Sequence, residues 1–239
     1  MTERGRSAVS RDESNLVIGP SAVRWDGDVL EITIEERDKR LFNPFQRRVA
    51  GVVRVIPEAL NPVAFALDPA ANHVWHCLAP VARIEVEMTS PRVSWKGRAY
   101  LDHNRGSEPL EAGFRTWHWS RAHMKEGAVV CYEGERADGS LFASALRFGA
   151  DGAPEPVELP PVAHLPRSKW RIARSTRSDI GVARVRRTWE DTPFYARSEL
   201  ASRFAGEEVI AVQESLDMVR FASPLVQFML PYRMPRKRG

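Results

Sequence analysis

Cysteine is scarce in this 239-residue sequence, which has only Cys77 and Cys131. Two cysteines form neither a disulfide framework nor a four-cysteine zinc site, so we expect a reduced, cytoplasmic protein. The sequence also has no apolar run near the ~18 residues that a membrane-spanning helix requires. The polar segment MTERGRSAVSRDESNL has no apolar core, so we expect no signal peptide in it.

Lysine is scarce as well, since five of the 35 basic side chains are lysine and all the others are arginine. Arginine pairs well with carboxylates and phosphates, so solvated surface ion pairs explain most of this bias. Anionic lipid headgroups are the alternative partner. The sequence lacks zinc-finger spacing, an RNA-binding aromatic signature and a basic helix, and we therefore expect no nucleic-acid partner.

Common catalytic signatures are missing too. The sequence has no GxSxG nucleophile motif, no phosphate-binding glycine loop and no HExxH metal motif. On a strand, His73 and His76 would point to opposite faces, which does not favour a shared metal site. We therefore expect neither a nucleotide cofactor nor a metal.

What is present is a series of strand-like segments. The segment AVRWDGDVLEITIEE alternates apolar and polar residues around Asp26-Gly27, which predicts a β-hairpin, and Asp138-Gly139 predicts another. Such segments recur at a spacing of about 8–12 residues, typical of barrels and sandwiches. Helical periodicity is nearly absent. The sequence therefore predicts an all-β protein with few short helices.

One proline-dense segment, GADGAPEPVELPPVAHLP, interrupts this pattern, because proline cannot donate a ladder hydrogen bond. We therefore predict a first β lobe (1–150), a linker (151–166) and a second β lobe (167–239). The second lobe is expected to carry a short helix beginning at Ser223-Pro224, with proline at its first position, followed by the basic tail RKRG.

Three sets of residues at strand spacing are the candidates for a functional site. Each set would share one strand face: His73, Trp75 and Cys77; Tyr100, Asp102 and Asn104; Trp117, Trp119 and Arg121. Their spacing does not establish that the three faces meet. The alternatives are a catalytic cavity, a ligand-binding cavity, and a core in which Arg121 neutralises Asp102.

Several segments together resemble the carotenoid 1,2-hydratase family, also called hydroxyneurosporene synthase. They are MTERGRSAV, RWDG, AFALD, HVWHCLAPVARIEVEM, WKGRAYLDHNRGSEPLE, WHWSRA and LPYRMPRK, which extend over essentially the whole chain. The most distinctive are YLDxNxGxxPL and WxWSR. Family members usually carry more chain upstream of MTERGR, so the resemblance predicts a shortened protein or a start farther upstream.

The resemblance implies a lipocalin-like (calycin-type), two-lobed antiparallel fold that adds water across the terminal C1=C2 bond of acyclic carotenoids such as neurosporene and lycopene, without a cofactor. It places the family's functional residues on His73, Trp75, Tyr100 and Asp102.

In the mechanism that this activity requires, Asp102 protonates C2 and water captures the tertiary cation at C1. Trp75, Trp117 and Trp119 would form an apolar wall whose π faces stabilise the cation. Tyr100 or His73 would hold the proton network.

Two other functions fit the same scaffold. They are a non-enzymatic binder of an apolar ligand and a cyclase or isomerase that acts on polyenes. Because carotenes reside in the bilayer, we also expect peripheral attachment to the inner membrane. The segment VQFML and the basic residues that follow it are the candidate contact.

Overall fold

The computed structural model describes residues 4–37 and 48–233, which are mostly antiparallel β-sheet. The first strands in the chain are β1 (Val9–Arg11), β2 (Asn15–Ile18), β3 (Ser21–Trp25), β4 (Leu30–Arg37), β5 (Arg48–Pro57), β6 (Phe65–Ala66), β7 (His73–Ser90) and β8 (Arg92–Gly106). The later strands are β9 (Phe114–His123), β10 (Ala128–Arg136), β11 (Leu141–Phe148), β12 (Pro154–Pro156), β13 (Val162–Leu165), β14 (Arg174–Arg177), β15 (Arg184–Asp191), β16 (Tyr195–Phe204) and β17 (Glu207–Asp217). The helices are a 3-10 turn (Arg6–Ala8), α1 (Leu110–Gly113), α2 (Met218–Phe221) and α3 (Pro224–Arg233). The predicted all-β class with few short helices is confirmed.

The chain divides into two compact units, and the division differs from the predicted lobes at 150 and 166. Of the described residues, the first unit holds 4–37, 48–58, 82–100 and 228–233, and the second holds Ala59–Val81 and Leu101–Gln227. The long strands β7 and β8 are each shared between the units, which a division by linker composition does not anticipate.

The first unit is an antiparallel meander in which β1 to β5 follow one another and β5 pairs with Ala82–Ser90 of β7. The predicted hairpin at Asp26-Gly27 joins β3 to β4, where Asp26 Oδ1 accepts hydrogen bonds from the backbone N–H groups of Asp28 and Val29. These two bonds lower the pKa of the Asp26 carboxyl.

The second unit contains a seven-stranded sheet in the order β12-β11-β10-β9-β17-β16-β15 and a separate hairpin, β13-β14. A hydrophobic core on one face of this unit is built mostly of small and aliphatic side chains: Ala122, Met124, Val129, Cys131, Ala145, Leu165, Leu200, Phe204, Val209 and Ala211. The predicted hairpin at Asp138-Gly139 joins β10 to β11.

The proline-dense segment that was predicted to be a linker is part of this second unit. Its residues Pro154–Pro156 form β12, which pairs with β11, and Val162–Leu165 form β13, which pairs with β14. Proline is tolerated in β12 because this strand lies at the edge of its sheet, where a backbone N–H on the outer side is not needed for pairing with another described strand.

The predicted C-terminal helix is present as α3, with Pro224 as its first residue. The basic tail 236–239 lies outside the described residues. None of the helices in the described part of the chain combines the length and apolar character needed to cross a membrane.

Candidate functional site

The candidate site begins with one face of the seven-stranded sheet. Trp117 and Trp119 of β9 share this face because side chains alternate along a strand. Tyr132 of β10 lies opposite Trp119 on one side, and Glu214 of β17 lies opposite it on the other. Tyr132, Trp119 and Glu214 therefore form a row across three adjacent strands.

Trp75 of β7 contacts this face and binds Asp102 of β8. Trp75 is 1% exposed, and its Nε1 donates a hydrogen bond to Asp102 Oδ2 over 3.0 Å. Its ring packs edge-on against Tyr132, with centroids 5.6 Å apart, and Tyr132 also contacts Trp117 at 6.0 Å. The three sets of candidate residues thus contribute members to one place, and they meet at Tyr132, which strand spacing alone does not single out.

Further rings extend these contacts into a continuous aromatic cluster, whose ring centroids are 5.5–6.0 Å apart. The members of the aromatic cluster are Phe65, Trp75, Phe114, Trp117, Tyr132 and Phe142. Most of these contacts are tilted or edge-to-face, the arrangement that aromatic quadrupoles favour. The Asp102 carboxyl is therefore held, through Trp75, at a wall of aromatic rings.

Tyr132 stays protonated in this environment. Burial raises the pKa of its hydroxyl far above the ordinary value, and the negative charges of Asp102 and Glu214 raise it further. Both carboxylates therefore lie within electrostatic range of this hydroxyl, although they come from strands more than 100 residues apart in the chain. The group remains a neutral hydroxyl that can both donate and accept a hydrogen bond.

Glu214 is a second carboxyl of the site that the sequence pattern did not reveal. Its Oε1 lies 3.3 Å from Arg197 Nε, and the Tyr195 hydroxyl donates a hydrogen bond to it. Burial raises the pKa of Glu214, Arg197 and Tyr195 oppose the shift, and the nearby Asp102 charge adds to it. The net effect is a glutamate that holds its proton to a higher pH than usual.

His73 is buried beside the aromatic cluster, with 2% of its surface exposed and its ring 4.9 Å from that of Phe114. Its Nε2 lies 3.2 Å from Glu108 Oε1, and its backbone N–H donates to Asp68 Oδ2 over 2.7 Å. Burial opposes ionisation of Asp68, but backbone N–H groups such as that of His73 outweigh it and lower the pKa of this carboxyl. The orientation of His73 is therefore fixed from both its ring and its backbone.

Two glycines make room for the His73 ring. A Cβ at Gly106 would lie 2.9 Å from His73 Nδ1, and a Cβ at Gly113 would overlap His73 Nε2. Gly106 belongs to the YLDxNxGxxPL segment, and the close approach of the His73 ring explains a glycine at this position in addition to a turn.

We expect Gly113→Ala to displace the His73 imidazole and separate it from Glu108. Overpacking of this kind costs roughly 1–3 kcal/mol. Urea denaturation would measure the loss in stability. Gly97→Ala is the matched control, because its Cβ would make only an ordinary 3.5 Å contact with Trp95. Equal behaviour of the two variants would contradict the tight fit around His73.

The remaining candidates lie on β8, β7 and β9. Tyr100 is half-buried on β8, two residues before Asp102, and it is the last residue of that segment of the first unit. Cys77 is fully buried on β7. Arg121 Nη1 lies 2.9 Å from Nε2 of His123, its neighbour on the same face of β9.

The opposite face of β9 carries His118 and Ser120, followed by Ala122 of the hydrophobic core. There His118 Nδ1 lies 2.7 Å from Ser215 Oγ, and Thr176 Oγ1 donates to Ser120 Oγ over 3.0 Å. Burial lowers the pKa of His118, and Glu133 opposes the shift. This serine–histidine pair is a contact inside the core, since Ser215 is 0% exposed.

Within residues 4–37 and 48–233, no three histidine, cysteine, aspartate or glutamate side chains gather in a group that could hold a metal ion. The site itself brings together carboxyl groups, a phenol, an imidazole and aromatic rings.

Two solved structures of low identity share this fold. The crystal structure of an AttH candidate from Nitrosomonas europaea is 12% identical and covers 90% of this chain and 73% of its own, with a TM-score of 0.56. The crystal structure of CghA with Sch210972 is 11% identical over the same shares, with a TM-score of 0.51. These likenesses concern the fold alone and agree with the lipocalin-like class expected from the sequence.

Sequence comparison gives closer relatives. The acyclic carotenoid 1,2-hydratase of Thiocapsa roseopersicina is 48% identical over all of this chain and 58% of its own length. That of Rubrivivax gelatinosus is 46% identical over 99% of this chain and 58% of its own length. That of Cereibacter sphaeroides is 36% identical over all of this chain and 85% of its own. The chain thus spans somewhat more than half the length of the first two relatives.

The family model of the carotenoid hydratase CrtC matches residues 1–239, which is the entire sequence. The match includes the strands that carry Trp75 and Asp102, where the side chains of the candidate site meet. The chain belongs to the carotenoid hydratase CrtC family.

Proposed function

We propose that this chain hydrates the terminal C1=C2 bond of acyclic carotenoids such as neurosporene and lycopene, as a hydro-lyase that yields 1-hydroxy carotenoids. The observation that carries the proposal is the Asp102 carboxyl, which Trp75 Nε1 holds at the aromatic cluster. The curated relatives are acyclic carotenoid 1,2-hydratases, which supports the same reaction.

In the proposed mechanism, Asp102 donates a proton to C2 of the substrate, which leaves a tertiary cation at C1. Aromatic faces stabilise such a cation by roughly 0.5–2 kcal/mol each, and in this proposal Trp75 and Trp117 supply them. A water molecule then bonds to C1 and releases one proton. Net addition of water needs no electron donor or acceptor.

The other candidate residues have supporting roles in this proposal. Tyr100 precedes Asp102 by two positions on β8 and belongs to the proton network. His73 contacts Glu108 and the ring of Phe114, and it thereby positions the chain next to the aromatic cluster. Trp119 lies between Tyr132 and Glu214 and adds to the apolar wall.

Product analysis after supplying lycopene or neurosporene tests the proposal against a binder and against a cyclase or isomerase. A hydratase yields 1-hydroxy carotenoids, a binder returns unchanged pigment, and a cyclase or isomerase yields products of unchanged mass. The assay should use this chain and a version extended upstream, because the chain spans 58% of the two relatives with the highest identities given above.

We further propose that the protein associates peripherally with the inner membrane, where its substrate resides. The supporting feature is helix α3, whose residues Leu225, Phe228 and Met229 are exposed and have the i, i+3, i+4 spacing of one helix face. Exposed apolar side chains on one helix face can insert among lipid headgroups.

Flotation with anionic liposomes checks this proposal. We expect Leu225→Ser together with Met229→Ser to lower the membrane-bound fraction, because both substitutions remove exposed apolar surface. Leu141→Ser is the matched control, since Leu141 is 77% exposed on the β10–β11 hairpin, far from α3 in sequence. Equal flotation of all three proteins would dismiss α3 as the contact.

A further inference from the structure

We propose that the loop between β13 and β14 is a membrane anchor, in which Trp170 enters the headgroup layer of the bilayer while Lys169 and Arg171 bind anionic phospholipid headgroups. This inference rests on the proposed peripheral association with the membrane. It adds a contact that is distant from α3 in sequence, and it names the lipid chemistry. The loop has the sequence PRSKWRIA, which holds three basic residues and no acidic one.

The loop directs its central side chains outward. Ser168 and Ile172 are 7% and 1% exposed, whereas the three residues between them are exposed, with 53% of Trp170 open to solvent. An indole combines an apolar body with one N–H donor, and it therefore prefers the boundary between water and hydrocarbon. The basic neighbours Lys169 and Arg171 are the side chains that an anionic lipid surface attracts.

Side chains from outside the loop hold its backbone in this shape. Asp191, the last residue of β15, accepts hydrogen bonds from the backbone N–H of Lys169 over 2.6 Å and from that of Trp170 over 3.3 Å. Arg220 of α2 donates from Nη1 to the Trp170 carbonyl over 2.8 Å. The carboxylate of Asp191 is thereby directed at the loop backbone.

The loop also forms hydrogen bonds within itself. The Arg171 N–H donates to the Ser168 carbonyl over 2.8 Å, and Arg167 Nη1 donates to the Arg171 carbonyl over 3.1 Å. The backbone N–H groups of all three exposed residues are thus paired inside the protein, so the loop can approach lipid without leaving these donors unsatisfied. Because the protein already fixes this shape, binding should cost little conformational entropy.

The charge and apolar surface around the loop are complementary to an anionic bilayer. Arg220 Nε pairs with Asp217 at 3.2 Å, so the positive charge available to lipid phosphates comes from Lys169 and Arg171. Val219, the neighbour of Arg220 on α2, is 64% exposed and adds apolar surface. Apolar side chains accompanied by lysine and arginine are typical of surfaces that lie on anionic membranes.

Flotation with two kinds of vesicle tests the anchor, one of phosphatidylglycerol and phosphatidylcholine in equal parts and one of phosphatidylcholine alone. We expect Trp170→Ala in the 239-residue chain to partition onto the mixed vesicles roughly tenfold less, because the bilayer no longer buries an indole. Trp95→Ala is the matched control, since Trp95 is 48% exposed on β8. Partitioning of Trp170→Ala equal to that of the unchanged chain would overturn the proposal.

The double variant Lys169→Gln, Arg171→Gln tests the lipid charge. Each lost basic residue should lower partitioning onto the mixed vesicles roughly fivefold and leave binding to phosphatidylcholine alone unchanged. Lys125→Gln with Arg203→Gln is the matched control, because it removes an exposed lysine and an exposed arginine near the other end of the same sheet. Equal losses in the two double variants would contradict a lipid contact at the loop.

Sedimentation velocity separates lipid from a protein partner. Self-association of the unchanged chain that Trp170→Ala abolishes would make the loop an interface between copies and overturn the proposal. An unchanged chain that floats with neither vesicle would count against membrane association as a whole, the loop included. Flotation of the unchanged chain and Trp170→Ala alike would count against the loop alone, so the two failures are distinguishable.

Discussion

Under the proposed function, Asp102→Asn is expected to lower kcat for hydration of lycopene and neurosporene by roughly 10²–10⁴-fold, the usual contribution of a general acid. The amide has the shape of the carboxyl but cannot deliver a proton to carbon. Its oxygen can still accept the hydrogen bond that Trp75 Nε1 donates over 3.0 Å, so the local structure should persist. Chromatography of the pigments after incubation would measure the loss.

The accompanying measurements separate chemistry from folding and binding. Circular dichroism and urea denaturation should give nearly unchanged curves for Asp102→Asn, and the variant should still retain carotene on purification. Asp28→Asn, in the exposed turn between β3 and β4, is a control that should leave turnover intact. Turnover by Asp102→Asn near that of the unchanged chain would remove Asp102 from the role of proton donor.

Trp75→Ala is expected to lose both stability and activity. Trp75 is 1% exposed and packs on Phe65 and Tyr132, so truncation leaves a cavity that costs about 3–5 kcal/mol. The Asp102 carboxyl also loses its indole donor. Urea denaturation monitored by circular dichroism would measure the change in unfolding free energy.

A milder substitution tests the hydrogen bond of Trp75 separately. Trp75→Phe keeps most of the ring packing and removes only the Nε1–H donor, so it should lower kcat more than it lowers stability. Trp170→Ala is the control for losing an indole, because Trp170 is 53% exposed and surface changes usually stay within about 0.5 kcal/mol. Equal losses of stability for Trp75→Ala and Trp170→Ala would contradict the buried packing of Trp75.

Strand spacing predicted the local parts of the site well. Alternation along β9 predicted that Trp117 and Trp119 share a strand face, and both are buried, while the hairpins at Asp26-Gly27 and Asp138-Gly139 formed as expected. These features depend on neighbours in the sequence, where the period of two and the turn residues carry the information.

The long-range parts could not be predicted in the same way. Glu214 joins the site only because β17 pairs with β9, about a hundred residues earlier in the chain. Tyr132 lies in the segment AVVCYEGER, where nothing local distinguishes it from a core tyrosine. The division into units also escaped prediction, because it depends on how far the continuous strands β7 and β8 extend.

The contrast between the two faces of β9 has a consequence for the folding of the sheet. One face carries indole rings, and the other carries His118 and Ser120, whose partners are hydroxyl groups. Slippage of the strand by one residue would exchange these faces, bury hydroxyls against rings and leave their hydrogen bonds unmade. The hydrogen bonds of His118 and Ser120 thus fix the register of β9, in which Trp119 lies between Tyr132 and Glu214.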